Sequence, residues 1–81
     1  MIVEYDASFE KRVKKIKDTL LKEKVKNQIR KIIESPEIGK PMRFSRKGTR
    51  EAYVTPFRLA YAYFPNENKV VFLDLYHKDE Q

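Results

Sequence analysis

The stretch FRLAYAYF, residues 57–64, decides the fold of this 81-residue chain. Large apolar side chains at Leu59, Tyr61 and Tyr63 alternate with Arg58 and with two alanines. A period of two residues is typical of a β-strand, because successive side chains point to opposite faces of a sheet. The stretch therefore predicts a strand with one bulky apolar face and one sparse face that carries a single arginine.

Turn-forming residues on both sides of this strand indicate an antiparallel arrangement. Thr55-Pro56 predicts a corner before it, and residues 65–68, which include Pro65, predict a hairpin loop after it. A further turn is predicted at residues 46–49. These boundaries leave four strands, at residues 42–45, 50–54, 57–64 and 70–76. The C-terminal half of the chain therefore predicts a four-strand antiparallel meander.

The N-terminal half has the period of a helix. After a short opening strand over residues 1–5, Asp6 or Ser8 is placed to cap a helix. Two apolar stripes then recur at helical spacing: Phe9, Val13, Ile16 and Leu20, followed by Leu21, Val25, Ile29, Ile32 and Ile33. Residues 36–41, with two prolines and a glycine, end the helical region.

The join between the two stripes decides between one long helix and two shorter ones. Asp18-Thr19 lies at this join, and Thr19 has the side chain of an N-cap. Two antiparallel helices let so short a chain form a compact unit, so we prefer them. The sequence thus predicts a single α+β domain over residues 1–81: an N-terminal strand, two antiparallel helices on one sheet face, and a four-strand antiparallel meander.

The helices are expected to cover the bulkier face of the two longest strands. The side chains predicted on that face are Leu59, Tyr61, Tyr63, Val71, Leu73 and Leu75. Those predicted on the opposite face are Arg58, Ala60, Ala62, Phe72, Asp74, Tyr76 and Lys78. Because alanines and polar groups predominate there, the second face is predicted to be an open, concave surface.

Composition excludes several classes of protein. The chain has no cysteine, so disulfide scaffolds, thiolate chemistry and cysteine-ligated zinc are excluded. It has one histidine, so metal catalysis is a poor match, and no metal or other cofactor is expected. No apolar run approaches the roughly 18 residues of a membrane span, and the first residues lack a signal-peptide pattern. We expect a soluble, cytoplasmic protein with no membrane partner.

Positive charge is concentrated in two segments. The net charge is +6; residues 10–31 hold ten bases and three acids, and residues 40–58 hold six bases and one acid. Such a distribution attracts polyanions. For residues 10–31 a solvated helix surface is an equally good interpretation. For residues 40–58, where arginines interleave with aromatic residues, we favour a phosphate or carboxylate partner.

Arg58 is unusual because it lies in so apolar a strand, where a guanidinium group needs a partner. Asp74 is equally unusual in the strand over residues 70–76, and the two side chains are predicted to meet on the open face. Two interpretations stay open. The pair is either a structural ion pair, or a phosphate site in which Asp74 orients Arg58.

Cleavage of RNA through its own 2′-hydroxyl group requires a base, cations that stabilise the phosphoryl oxygens, and an acid for the leaving oxygen. Arg58 suits the second role. His77 and Lys78 complete the predicted catalytic set, since histidine is the side chain that ordinarily changes charge near neutral pH. A lone histidine at a strand end is also commonly structural. Five further residues are predicted to bind RNA phosphates or bases: Arg43, Arg46, Lys47, Arg50 and Tyr76.

Three features together resemble the RelE/ParE superfamily of bacterial and archaeal toxins. They are the strand–helix–helix–meander order, residues 33–37 closing the second helix, and the string Phe57-Arg58-Leu59-Ala60-Tyr61. The valine-rich strand that ends in a basic segment, residues 70–78, is similar to the family's last strand. Arg58 corresponds to the phosphate-contacting arginine of the family. Two basic positions common in the family's preceding strand fall on or near Glu51 and Tyr53.

The resemblance implies that this chain is the toxin half of a toxin–antitoxin pair. RelE-like members enter the ribosomal A site and cut mRNA, and a cognate antitoxin wraps and blocks them. The expected partners are thus an acidic antitoxin, the ribosome and mRNA. ParE-like members instead poison DNA gyrase. Three hypotheses stay open: a ribosome-dependent mRNA endoribonuclease, a non-nuclease toxin that acts through protein contacts, and an inactive basic RNA- or DNA-binding module.

Overall fold

The computed structural model describes residues 1–42 and 48–80. Within these residues two α-helices and five β-strands follow one another: β1 Ile2–Tyr5, α1 Ala7–Lys14, α2 Thr19–Glu34, β2 Lys40–Pro41, β3 Thr49–Val54, β4 Phe57–Phe64 and β5 Lys69–His77. Short 3₁₀ turns span Pro65–Glu67 and Lys78–Glu80. The predicted α+β fold class is confirmed. None of the described helices is long and apolar enough to cross a membrane.

The five strands form one mixed sheet in the order β1-β5-β4-β3-β2. β2 to β5 pair antiparallel with their sequence neighbours, as the predicted meander requires. β1 adds to the far edge, parallel to β5, with Val3 opposite Val70. The predicted strand over residues 42–45 lies mostly outside the described residues; the described strand in this region is Lys40–Pro41, which pairs with Glu51 and Arg50.

Aspartates begin both helices. The Asp6 carboxylate accepts the Ser8 N–H at 3.0 Å. The Asp18 carboxylate accepts the N–H groups of Leu20 and Leu21, at 2.9 and 3.2 Å. Side-chain acceptors of this kind satisfy the donors that the first helical turn leaves open. Asp18, and not the predicted Thr19, is therefore the N-cap of α2, and the boundary between the two helices lies where the sequence predicts it.

The core lies between the helices and one face of the sheet. Its buried side chains come from both helices, from the segment between them, and from β3, β4 and β5. They are Phe9, Ile16, Val25, Ile32, Ala52, Val54, Leu59, Tyr61, Val70, Phe72 and Leu75. Since all of them belong to one cluster, both helices cover the same sheet face, as predicted. The other face is left for function.

β5 contains a β-bulge opposite the middle of β4. Ala60 pairs with Asp74, but the next residue of β4, Tyr61, pairs with Phe72. Leu73 is therefore an extra residue in the ladder. Because side chains alternate with a period of two, one extra residue moves every side chain on one side of it to the other face.

The bulge corrects the predicted assignment of faces. Alternation counted back from Leu75 places Val71 and Leu73 beneath the helices. Instead Val70 and Phe72 are fully buried there, together with Leu75. Phe72, predicted on the open face, packs between the rings of the core. For β4, where no extra residue interrupts the alternation, the prediction that Leu59 and Tyr61 lie on the helix side is confirmed. Ala60 and Ala62 on the opposite face are also buried, at 7% and 5% exposed.

Candidate functional site

Arg58 lies on the open face of the sheet, opposite the helices. In the register of β3 and β4 it pairs with Tyr53, and in that of β4 and β5 it pairs with Tyr76. Its guanidinium group lies 5.1 Å from the centroid of the Tyr53 ring, a cation–π contact. Arg58 is thus flanked by aromatic side chains from both neighbouring strands, which hold its fork in place.

Glu51 is the acidic partner of Arg58. Its carboxylate Oε1 lies 3.5 Å from Nη1 of Arg58, and the two side chains are 11% and 27% exposed. The other carboxylate oxygen, Oε2, accepts the hydroxyl of Tyr76 at 2.5 Å. A half-buried carboxylate bound to a phenol and a guanidinium group is satisfied at both oxygens. We call Glu51, Tyr53, Arg58 and Tyr76 the Arg58 cluster.

The predicted pairing of Arg58 with Asp74 is wrong. The Asp74 carboxylate lies 3.8 Å from Nε of Arg12 on α1, and it accepts the Leu75 N–H at 2.8 Å. Asp74 pairs with Ala60 in the sheet register and lies directly beside the bulge at Leu73, and the cation that its carboxylate meets is Arg12. The role of orienting Arg58 therefore falls to Glu51, which the sequence placed on the neighbouring strand but did not single out.

His77 does not share a face with Arg58. It pairs with Phe57 and its ring meets the Phe57 ring edge-on, with centroids 5.6 Å apart. Its Nδ1 lies 3.5 Å from the Asp79 carboxylate. Because His77 is two residues from buried Leu75, alternation directs it towards the helix side of the sheet. The predicted catalytic set is thus divided between the two faces.

Lys78 follows β5 directly and is exposed. Its backbone N–H donates to the Pro56 carbonyl at 3.2 Å. This hydrogen bond fastens the end of β5 to the corner between β3 and β4, two residues before Arg58. Lys78 is therefore at the same end of the sheet as the Arg58 cluster.

Arg50, predicted to bind phosphate, has a structural role on the opposite face. Its Nη1 donates to the carbonyl oxygens of Glu37 and Gly39, at 3.1 and 2.7 Å. Because Arg50 pairs with Tyr61, which is buried, alternation places it on the helix side. Two carbonyl groups thus use Nη1 of this guanidinium group and hold Arg50 against the segment that follows α2. Three more predicted phosphate ligands, Arg43, Arg46 and Lys47, lie outside the described residues.

The sequence contained a signal for Glu51 and Tyr53, the two neighbours of Arg58 that were not predicted as site residues. The corner at Thr55-Pro56 fixes the register of the β3–β4 hairpin, so that Tyr53 must lie opposite Arg58. Glu51, two residues further, must then share the face of Arg58. Tyr76, which was predicted, belongs to the same face. The Arg58 cluster thus follows from the hairpin register, whereas Asp74 was selected for its unusual setting alone.

The Arg58 cluster offers the chemistry of an anion site with a nearby proton acceptor. A guanidinium group binds phosphate or carboxylate through its fork, and aromatic rings stack on bases. A carboxylate can accept a proton. Within residues 1–42 and 48–80 no group of three or more metal-ligating side chains is found.

Comparisons with known proteins agree with this fold. The sequence profile of the family described as "ParE toxin of type II toxin-antitoxin system, parDE" matches residues 3–81. No curated protein sequence matches the chain significantly.

Several solved structures share the fold. A chain of the intact E. coli RelBE toxin–antitoxin complex superimposes with a TM-score of 0.80 at 17% identity, over 94% of each chain. The YoeB/ParE toxin from Agrobacterium tumefaciens superimposes with a TM-score of 0.81 at 15% identity, over 95% of this chain and 98% of that one. A chain of the RelBE2 toxin–antitoxin complex from Mycobacterium tuberculosis superimposes with a TM-score of 0.75 at 25% identity, over 95% of this chain and 96% of that one. Because the family profile spans nearly the whole sequence, the chain belongs to the ParE toxin family of type II toxin–antitoxin systems.

Proposed function

We propose that this toxin inhibits translation by cutting ribosome-bound mRNA at the Arg58 cluster, without a metal ion. It acts in the cytoplasm, where its target is found, and an antitoxin keeps it silent. The observation that carries the proposal is the open sheet face on which Arg58 is held between Tyr53, Tyr76 and Glu51. A cation, a carboxylate and stacking surfaces lie together there, and RNA cleavage uses all three.

The reaction is attack of a ribose 2′-oxygen on the adjacent phosphorus, with loss of the 5′-oxygen of the next nucleotide. Arg58 stabilises the negative charge that develops on the phosphoryl oxygens. Glu51 accepts the 2′-hydroxyl proton, once phosphate draws the guanidinium group away from it. Tyr53 stacks on a base beside the scissile bond.

Protonation of the leaving 5′-oxygen is assigned to Lys78. Its position is fixed by the backbone hydrogen bond to Pro56, which brings it to the same end of the sheet as Arg58. His77 is not assigned this role, since it lies against Phe57 on the helix side.

The proposed antitoxin is an acidic, amphipathic chain. Helices α1 and α2 carry most of the ten bases of residues 10–31, which gives the helix side a strong positive field. Two of the matched structures are toxin–antitoxin complexes. An acidic partner would neutralise this field and bury the apolar residues that the helices leave exposed, such as Leu20 at 68%.

A cell-free translation assay tests the proposal. Purified protein is added to a translating extract, and primer extension on the mRNA locates the cuts. Wild-type protein is expected to stop translation and to produce discrete cuts within codons on ribosomes. Arg58→Ala is expected to lower the cleavage rate by about 10²–10³, the usual loss when one charge-stabilising donor is removed.

Two further variants make the result specific. Arg58→Lys keeps the charge but loses the planar fork, so intermediate activity is expected. Lys26→Ala removes a positive charge from an exposed position on α2 and should cut normally. All variants are compared at temperatures where circular dichroism shows them folded, because loss of Arg58 leaves the half-buried Glu51 without a cationic partner. Unimpaired translation with excess wild-type protein would refute the proposal.

A second candidate function is favoured by one observation, the separation of His77 from the Arg58 face. A ParE-like toxin that poisons DNA gyrase through protein contacts needs no catalytic set on this face. It predicts that Arg58→Ala stays toxic in cells, that mRNA is uncut, and that purified gyrase is inhibited in a supercoiling assay.

A further inference from the structure

A groove lies between α2 and the end of β3 and shares one residue, Tyr53, with the Arg58 cluster. It has a volume of about 340 Å³, at the lower end of the range for small-ligand pockets. Seven residues line it: Lys24, Asn27, Gln28, Lys31, Tyr53, Val54 and Thr55. None of these is acidic, and two are lysines. The groove therefore suits an anionic ligand of about the size of one nucleotide.

The helix supplies this groove with a regular row of polar side chains. Lys24, Asn27, Gln28 and Lys31 are spaced by three, one and three residues, so they lie along one flank of α2. The two lysines are seven residues apart, which is roughly 10 Å along a helix. Two amide side chains lie between them. Cations at both ends with amides in the middle match a nucleotide whose two flanking phosphates are bound while its base edge is hydrogen-bonded.

Tyr53 joins the groove to the Arg58 cluster. It lines the groove, is 54% exposed, and lies against the Arg58 guanidinium group. Among the described residues, β2 pairs only with Arg50 and Glu51 of β3, so the groove reaches Tyr53 around the edge of the sheet beyond that pairing. A strand of RNA whose phosphate is at Arg58 can therefore continue past Tyr53 into the groove.

We propose that this groove is a subsite for the RNA nucleotide adjacent to the one cut at Arg58. Lys24 and Lys31 bind its two phosphates, Tyr53 stacks on its base, and Asn27 and Gln28 hydrogen-bond to the base edge and discriminate between bases. The inference rests on the proposed RNA-cleaving function and adds a determinant of sequence preference to it. RNA is favoured over an acidic peptide because the amides and the aromatic ring suit a base, which single-stranded RNA presents unstacked.

Binding of a 2′-O-methyl RNA hexamer tests the subsite, because this probe cannot be cut. Its fluorescence anisotropy is measured over a range of salt concentrations. The Lys24→Ala/Lys31→Ala double variant is expected to bind about tenfold more weakly than wild type. The slope of log affinity against log salt should fall by about 1.4, since each phosphate contact to a single strand contributes about 0.7.

The matched control is Lys22→Ala/Lys26→Ala. Lys22 and Lys26 belong to the same helix, and replacing them removes the same amount of charge. At 100° per residue they lie on the other flank of α2, outside the groove. Less than a twofold change in affinity is expected for this control. The Asn27→Ala/Gln28→Ala variant removes no phosphate contact, so it should keep the wild-type salt slope, while the preference among four hexamers that differ in one base is lost.

Several results would overturn the subsite. One is an equal loss of RNA affinity in the Lys24→Ala/Lys31→Ala variant and in its control. Another is a base preference that stays unchanged in the Asn27→Ala/Gln28→Ala variant. The third is the absence of saturable RNA binding by the wild type. A groove variant that binds RNA normally but no longer binds a labelled oligoglutamate peptide would assign the groove to an acidic protein instead. If the groove variant loses RNA affinity while Arg58→Ala still cuts mRNA like wild type, the subsite stands and the proposed cleavage site fails.

Discussion

Tyr61 shows how one residue in the decisive strand serves the fold. Its hydroxyl donates to the Pro36 carbonyl at 2.7 Å and accepts the Gly39 N–H at 2.9 Å. A side chain at Gly39 would meet the Tyr61 ring, with Cβ 2.7 Å from Cε1. Glycine is therefore required at this position by the close approach of the backbone to the ring. Arg50 holds the same segment through two carbonyl groups.

The substitution Tyr61→Phe tests the role of this one hydroxyl group. The substitution keeps the buried ring but leaves the Gly39 N–H and the Pro36 carbonyl without the partner that they have now. Losing a buried hydrogen-bond partner costs about 1–3 kcal/mol, and the free energy of unfolding in urea should fall by that amount. Tyr63→Phe is the control, because Tyr63 is a half-buried tyrosine of the same strand. Equal losses for the two variants would contradict the role of the Tyr61 hydroxyl.

The pH dependence of stability gives a second prediction for Tyr61. Burial raises the pKa of Tyr61 above its ordinary value of 10.0, while the Gly39 N–H and the Arg50 charge act in the opposite direction. Above pH 10 the unfolded chain loses this proton before the folded one does. The stability that the protonated Tyr61 hydroxyl gives to the folded state is therefore complete below pH 10, and it is lost as the pH rises through the pKa of Tyr61 in the folded state. The stability difference between wild type and Tyr61→Phe should narrow between pH 9 and 11 in urea unfolding; a constant difference would contradict it.

At the scale of elements, periodicity predicted both helices and the strands β1, β3, β4 and β5, but it could not locate single-residue irregularities. The predicted strand over residues 42–45 lies mostly outside the described residues. Helical stripes and two-residue alternation are properties of whole segments, so β4 and both helices were predicted. The bulge at Leu73 has no sequence signal, since valine, leucine and phenylalanine suit either face of a strand. One extra residue then misplaced Phe72 and Val71, while periodicity alone did not indicate that Asp74 meets Arg12 and not Arg58.

The N-terminus of α2 provides a prediction at this scale. Asp18 and Thr19 are both good N-cap residues, and Thr19 was the predicted one. In the structure the Asp18 carboxylate accepts two backbone N–H groups. Asp18→Ala should therefore lower the free energy of unfolding by about 0.5–2 kcal/mol. Thr19→Ala, which changes the first helical residue, is the control and should change it by less than about 0.5 kcal/mol. A larger loss for Thr19→Ala would restore the cap that the sequence predicted.

At the scale of the whole molecule, the two faces of the sheet divide stability from function. The helix side holds the core, Tyr61 and Arg50, whereas the open side holds the Arg58 cluster. A chain of 81 residues buries about 60–65% of its unfolded surface, so every element contributes to a small margin of stability. This division explains why Arg50, which was predicted to bind phosphate, has a structural role on the helix side instead.

The edge strand β1 tests whether the stability of the domain depends on every element of the sheet. The backbone N–H groups of Ile2 and Asp6 donate to the carbonyl oxygens of Asn68 and Phe72, at 2.8 Å each. Since alternate residues of a strand face the same neighbour, the Glu4 N–H points to β5. Glu4→Pro removes this donor, whereas Glu4→Ala keeps it; both lose the carboxylate 3.8 Å from Lys69. Glu4→Pro should be less stable than Glu4→Ala by about 1–3 kcal/mol in urea. It should also self-associate in light scattering, because a detached β1 exposes the edge of β5. Equal stability would mean that β1 is dispensable.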